Sequence, residues 1–527
     1  MKKIKAIIGV GTVLMAGACL LSSCNSETDT AASEVILNGD AIYPVQCEDT
    51  ISVWRGLDSA LEGRYENLGD TPMAQALEEK TGIKVEYVHP QAGQQNEQFN
   101  IMLASNSLPD VVMSNWAGYA GGADKAIEDE YILQLNDIIA NYSPALASYL
   151  AENPEVDKKM KTDSGNYYAY PFVRGEDWMT CNQGLMIRKD WLDQLGMEVP
   201  QTLDEFEAVL RGFKTICTGA PLVLDTGQLK TILYAYGTMP DFYVEDGKVV
   251  YGYATEQFRD AVERIASWYA EGLIDNNLVS VDRAYIQARM LNGDAGACYG
   301  YVVSGMGALL DARPSEEFEL VAIPQPTLDG GVPEFSAKED NVLQSSATAI
   351  STNCKNPELA ARWLDYGFTE AGHMLFNFGI EGGSYTIEDG KPVFTDLLTN
   401  NPEGLSFSQV AVEYTLASGS GTFVQDPGFV TQSLTYREEQ QNAYDVWANT
   451  NMSEHLMPPI SFTSEEQGAS AELLNDINTY AMETFIAFVT GSQSLDTFDT
   501  YLEQLNSYGL EEVLQIRQAA YDRYQAR

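Results

Sequence analysis

Strand and helix signals alternate between residues 51 and 113 at spacings that favour a parallel sheet. Ile51-Ser52-Val53-Trp54 alternates apolar with polar and reads as a strand. "DTPMAQALEEKTG" follows, a helix with both ends marked. Thr71 serves as N-cap, Pro72 takes the first helical position and Gly82 closes the C-terminus. "IKVEYVH" puts Ile83, Val85 and Tyr87 on one face at period two. Residues 96–107 read as a helix and 110–113 as the next strand. A β-α-β-α-β order with connections this long predicts crossovers between parallel strands, with helices covering the sheet's faces.

The same logic runs further along the chain. "GNYYAYPFV" (165–173) is a turn feeding a strand. In "PQTLDEFEAVLRGFK", Thr202 and Glu205 fit a capping box, and Phe206, Val209, Leu210 and Phe213 form a helical stripe. "TEQFRDAVERIASWYAEGLID" repeats the pattern with Phe258, Val262, Ile265 and Tyr269, closed near Gly272. "NPELAARWLDYGF" opens on Asn356 and Pro357 as cap and first residue. "YVEDGKVVYG" and "YTIEDGKPVFTD" each set Asp-Gly between apolar alternations, a hairpin signal. The tail from 470 reads as helical. The chain of 527 residues suffices for about two to four folding units.

The first residues stand apart. Lys2, Lys3 and Lys5 precede an apolar run from Ile7 to Leu21, then Leu21-Ser22-Ser23-Cys24. This is the layout of a secretory signal peptide. It is similar to the bacterial lipobox, which implies cleavage before Cys24 and a lipid on its sulfur; the alternative is an ordinary signal peptide with an incidental cysteine. Residues 24–47 begin with small polar residues suited to a flexible tether, and acyl chains at Cys24 would hold the protein at the outer face of the cell membrane.

Lys and Arg number 31 against 76 Asp and Glu, a net charge of −45. Such a chain repels phosphate backbones, so nucleic acid is not an expected partner. Beyond Cys19 and Cys24, the five cysteines Cys47, Cys181, Cys217, Cys298 and Cys354 are odd in number and widely spaced. They make neither a disulfide framework nor a CxxC metal site. His89, His373 and His455 are far apart. No cofactor is expected, nor a histidine-built metal site; acidic loops such as "DNN" (275–277) do not follow the EF-hand pattern, so calcium is left open without support from a motif.

"TGIKVEY", "MLASNSLPDVV", "GNYYAYPF", "MIRKDWLDQLGMEVPQTLDEFEAVLRGFK", "YAEGLID", "EGGSYTIEDGKPVFTD" and "LEEVLQIRQAAYDRY" occur in this order along the mature chain. No one of them is diagnostic. As an ordered set they resemble the extracellular solute-binding proteins of family 1, in the long lipoprotein branch that feeds oligosaccharide-type ABC importers of Gram-positive bacteria. The resemblance implies an α/β, class II periplasmic-binding-protein-like fold: two α/β lobes around a ligand cleft, with a helical C-terminal tail. It implies an N-terminal lobe of 48–172 with 336–380 and a C-terminal lobe of 173–335 with 381–490, followed by helices over 491–527. Crossings are expected near Pro171 to Arg174, near Gly331 to Val342, and after the helix that starts at Pro357.

In open α/β sheets ligands sit beyond the carboxyl ends of strands. The loops that follow strands therefore hold the candidate ligand-binding residues: Trp54 and Arg55; Asn115, Trp116 and Tyr119; Arg174, Glu176 and Trp178; Tyr299 and Tyr301; and, near the third crossing, Glu381 and Tyr385. Sugars suit this mixture, since their C–H faces pack on aromatic rings and their hydroxyls pair with carboxylates, amides and guanidinium. Each residue has a packing alternative. Trp54 and Trp116 can cap the hydrophobic layer, and Arg55, Arg174 and Glu176 can make ion pairs. Trp191, Trp268 and Trp363 lie at core spacing. GxSxG, P-loop and strand-following GxGxxG signatures are absent.

The expected function is capture of a mono- or oligosaccharide, without catalysis, by a lipid-anchored monomer that delivers it to ABC permease subunits. The alternatives are a peptide or other solute bound by the same fold, a surface sensor, or a surface glycosidase.

Overall fold

The computed structural model describes residues 32–38, 41–417, 419, 421–433 and 437–527. The leader expected over 1–23, the lipid site at Cys24 and part of the tether expected over 24–47 lie outside them. The described part of that stretch is not a tether. Ile36–Asn38 and Ala41–Gln46 pair antiparallel. Val45 is buried, Tyr43 donates its hydroxyl to the Arg362 carbonyl, and the Asn356 amide donates to the Ser33 carbonyl at 2.8 Å. The apolar residues interleaved over 35–45 supply a docking face that a solvated linker lacks.

Six strands form the first sheet, in the order Phe423–Gln425, Tyr170–Arg174, Val342–Ile350, Val111–Ser114, Thr50–Trp54, Lys84–Val88. All except Val342–Ile350 run in one direction. Trp54, Val88, Ser114, Arg174 and Gln425 therefore end on one edge of the sheet. The local signals explain the crossovers. The Thr71 hydroxyl accepts from the Ala74 N–H at 3.3 Å, and Gly82 takes the left-handed conformation that ends the helix Pro72–Thr81.

The second sheet has the order Leu320–Ala322, Gln183–Arg188, Ala297–Tyr301, Leu222–Val223. Gln183–Arg188 runs against both its neighbours, and Ala297–Tyr301 runs parallel to Leu222–Val223. The start of the strand at Gln183 and the carboxyl ends at Tyr301 and Val223 share one edge. Behind this sheet pack Leu203–Lys214 and Glu256–Glu271, with Phe206, Val209, Leu210, Phe213, Phe258, Val262 and Ile265 buried as their spacing predicts, while Tyr269 is half-buried and Trp268 takes the core position in its place. The capping box at Thr202 and Glu205 is formed. The helices Ser464–Thr490, Phe498–Ser507 and Leu510–Ala526 join the same core through Phe485, Tyr501 and Val513. Each large side chain sealed this way contributes about 1.5–3 kcal/mol relative to exposure. Trp191, Trp268 and Trp363 are packing residues, as expected. No described helix is long and apolar enough to cross a membrane.

The chain passes between the sheets three times. It leaves the first at Arg174, turns through Asp177–Thr180 and enters the second at Gln183. It returns between Ala322 and Val342. The third passage lies between Gln425 and the helix Glu438–Ala448, which packs on Leu320–Ala322. This corrects the expectation of a crossing soon after the helix that starts at Pro357, and of 381–425 as part of the second lobe. Phe423–Gln425 pairs with Tyr170–Arg174 and supplies the backbone partners that strand needs on its outer side. Phe378, Tyr385, Phe394 and Phe429 hold the intervening hairpin against the first sheet's core. The sheet order is otherwise that of the expected class II arrangement.

Candidate functional site

The first crossing brings the edges of the two sheets together. Arg174 ends its strand half-buried, and its Nη1 donates to Gln425 Oε1 at 2.9 Å. Its Nε is buried without a partner among the described residues. Trp178 follows in the 3₁₀ turn and stands edge-on to Tyr444, ring centroids 5.0 Å apart at 84°. Tyr444 is carried by the helix that makes the third crossing, so the two passages are locked by an aromatic pair. Glu176 is exposed on the same turn. Its neighbour Asp177 pairs with Lys338 of the return crossing at 2.6 Å.

From the second sheet, Tyr299 and Tyr301 project from one strand. Tyr299 is 4% exposed and Tyr301 40% exposed. The Tyr299 hydroxyl is buried and has no hydrogen-bond partner among the described residues. Such a group costs about 1–3 kcal/mol unless a ligand or water satisfies it. Burial pushes its phenol well above the ordinary value, reinforced by Tyr234, Tyr301, Glu339 and Asp225. Tyr301 is raised by burial and by Glu339, and lowered by Arg283 and by Arg174 of the other sheet. The structure thus brings together Arg174, Trp178, Tyr299 and Tyr301.

Beside Tyr299 and Tyr301 lies a cavity of about 230 Å³, walled by the second sheet's part of the chain, with Asp225, Gln228, Arg283, Tyr299, Tyr301 and Ser304 among its lining. Ligand pockets span about 300–1,000 Å³, so this enclosed part suits one ring of a larger solute. Directly after Tyr301 the chain makes a π-helical turn, Val302–Gly307, a form that recurs at functional sites. On the other flank of that turn a second hollow of about 570 Å³ is lined by Asn400, Asn401, Ser406, Gln432 and Gln440.

The other expected residues are placed differently. Trp116 is 0% exposed, its indole N–H donates to the Val112 carbonyl at 3.1 Å, and its ring meets Phe99 edge-on. Trp54 is 1% exposed and stacks on the other side of Phe99. These rings close the first sheet's apolar layer and present no free face. Asn115 is exposed but spends its carbonyl oxygen on the Gly118 N–H, capping a short turn. Tyr119 donates to Asp129 at 2.9 Å. Arg55 is buried, beside Tyr87, with its carbonyl bound to the His89 ring. Glu381 is exposed and Tyr385 is buried against Phe378, in the hairpin that stays with the first half.

Several charged residues in or beside the Tyr299 cavity carry little signal in the sequence. Asp225 follows the two-residue strand Leu222–Val223, so the rule that selected Tyr299 selects it too, once so short a strand is recognised. Lys230 lies on a helix with its ammonium 5.9 Å from the Tyr299 ring centroid. Arg283, on another helix, and Glu339, on the return crossing, carry no local signal at all.

The sequence profile of the family described as bacterial extracellular solute-binding protein matches residues 66–374. The fructooligosaccharide ABC transporter substrate-binding protein FusA of Streptococcus pneumoniae serotype 4 is 24% identical, over 99% of each chain. Lipoprotein LipO of Bacillus subtilis is 24% identical, over 94% of this chain and 95% of its own. Among solved structures, the alginate-binding protein AlgQ2 without calcium ion superposes with a TM-score of 0.72 at 28% identity, covering 90% of this chain and 98% of its own.

Proposed function

This chain belongs to the bacterial extracellular solute-binding protein family, and from that premise we propose that it captures an oligosaccharide between its two sheets and delivers it to the permease of an ABC importer. The observation that carries the reading is the buried, unsatisfied Tyr299 hydroxyl, set beside Tyr301, Asp225 and Gln228 where the two sheets' edges face each other. A ring face, a phenol and a carboxylate at one spot are what a pyranose or furanose needs. The relatives support the sugar: one is named for fructooligosaccharide and one for alginate.

In this reading the sheets are the cores of two lobes, and the three crossings are the hinge. A solute that touches Arg174 and Trp178 on one side and Tyr299 and Tyr301 on the other stabilises the closed form, which the permease reads. Trp54, Asn115 and Trp116 support the first lobe's rim from behind. No step of chemistry is required of any residue, so the protein binds and releases. In this reading a lipid on Cys24 would hold the protein, as a monomer, at the outer face of the membrane; the name of LipO, a lipoprotein similar over most of its length, supports the anchor.

Thermal shift against a glycan panel tests this. A ligand that binds only the native state raises the melting temperature by mass action. One or more oligosaccharides should raise it saturably. A shift with peptides and none with any glycan would move the assignment to a peptide carrier of the same fold. Hydrolysis of the bound glycan would make the protein an enzyme.

A further inference from the structure

The cleft gathers cations that have no carboxylate of their own. The chain holds 31 basic residues among 76 acidic ones, and many described Arg and Lys side chains are engaged by a carboxylate within 4.0 Å, as with Arg188, Arg264, Arg289 and Arg523. Among the described residues, exposed lysines such as Lys80 and Lys248, and Arg517 over the Phe242 ring, make no such pair; nor do three cations nearer the cavity, Arg174, Lys230 and Arg283. All three cluster at the Tyr299–Tyr301 strand: Lys230 over the Tyr299 ring, and Arg283 and Arg174 within electrostatic reach of the Tyr301 phenol from opposite sheets. Two anions lie nearby, and each has a neutral donor. Asp225 accepts from the Gln228 N–H at 2.9 Å, and Glu339 from the Gln183 amide at 3.4 Å.

A half-buried ammonium left without a close counter-charge is costly in a protein with carboxylates to spare. Burial pulls the Lys230 ammonium below its ordinary value, an effect that Glu339 and Asp225 offset only in part. Arg283 in the cavity wall, Lys230 over the ring of Tyr299 that shares that wall, and Arg174 facing Tyr301 from the other sheet describe a receptor for a group that is both anionic and rich in acceptors.

Resting on the carbohydrate reading above, we infer that the solute is an acidic oligosaccharide whose sugar carboxylate is bound between Lys230 and Arg283, with Arg174 closing on it from the first sheet. Tyr299 then donates to the same sugar ring. Asp225 and Gln228 are left for its neutral hydroxyls, which explains why the cavity is not purely basic.

Uronate trimers and their neutral counterparts separate the possibilities. Trigalacturonate, trimannuronate and cellotriuronate are titrated calorimetrically into the full chain alongside galactotriose, mannotriose and cellotriose, at about 20 and about 200 mM NaCl. The expected result is at least tenfold preference for one acidic trimer over its neutral counterpart. That preference should weaken at high salt and largely vanish in Lys230→Met and Arg283→Gln, both checked by circular dichroism for an unchanged fold. A neutral trimer bound as tightly as its acidic partner, with no salt dependence, overturns the inference and leaves the carbohydrate reading standing. Failure of every trimer together with binding of a non-carbohydrate overturns both.

Discussion

Asp163 accepts a hydrogen bond from Arg523 Nε at 2.7 Å, although 360 residues separate them. Asp163 sits in the turn that feeds the strand Tyr170–Arg174 of the first sheet. Arg523 and Arg527 end the last helix, which packs on the second sheet's core. Arg523 also pairs with Glu466 at 2.5 Å, and Arg527 grips Asp163 as well. The C-terminal helix is thereby tied to the turn that feeds the first sheet.

Arg523→Ala and Asp163→Ala should each destabilise the protein by about 1–2 kcal/mol, the range of charge-assisted hydrogen bonds after discounting for partial exposure. Urea melts of the two variants and the double variant read the coupling, expected near 1 kcal/mol. Additive effects would mean that Arg523 acts through Glu466 alone.

Trp116→Ala should damage the fold rather than the affinity. A fully buried tryptophan replaced by alanine costs about 3–5 kcal/mol. Denaturant melts together with calorimetry on the folded fraction separate the two effects. Unchanged stability with a large loss of affinity would return Trp116 to the ligand face.

Stability should carry a pH signature from Asp365. It is 0% exposed, and burial pushes its carboxyl up to about 6, against the opposing pull of the Leu146 and Ala145 N–H groups that it accepts from and of Arg362. Its folded value lies above the unfolded value near 3.8. The native state therefore holds the proton more tightly, and this group's stabilising contribution is complete below about pH 4 and is lost as pH rises toward 6. Asp365→Asn removes the charge that burial penalises. The stability difference between wild type and Asp365→Asn should change between pH 4 and 6 by on the order of 2–3 kcal/mol and be flat above. A difference constant from pH 4 to 7 would show that Asp365 ionises normally.

The sequence revealed the elements well because their signals are local. Thr71, Pro72 and Gly82 mark one helix within thirteen residues, and the Asp-Gly pairs mark both hairpins at Asp246 and Asp389, each in the left-handed conformation. The crossings at Arg174 and before Val342 were also legible. The third was not, since nothing near Phe423 declares that a three-residue strand completes a sheet begun 370 residues earlier. The site was legible in part. The rule of looking beyond strand ends selected Arg174, Trp178, Tyr299 and Tyr301, which the fold brings near one another. It failed at Trp54 and Trp116 because a strand-end tryptophan faces either the cleft or the layer beneath it, and Phe99, on a separate helix, decides between them. Lys230 and Arg283 are helical residues whose proximity to Tyr299 and Tyr301 is purely tertiary.

Tyr299→Phe tests the central claim most directly, because it deletes one oxygen and nothing else. That oxygen is buried and has no hydrogen-bond partner among the described residues, so its removal should leave the melting temperature unchanged or raise it. Affinity for the oligosaccharide identified by the glycan panel should fall roughly tenfold, the loss of one good hydrogen bond. A variant that melts lower yet binds that glycan as tightly as the wild type would contradict the account.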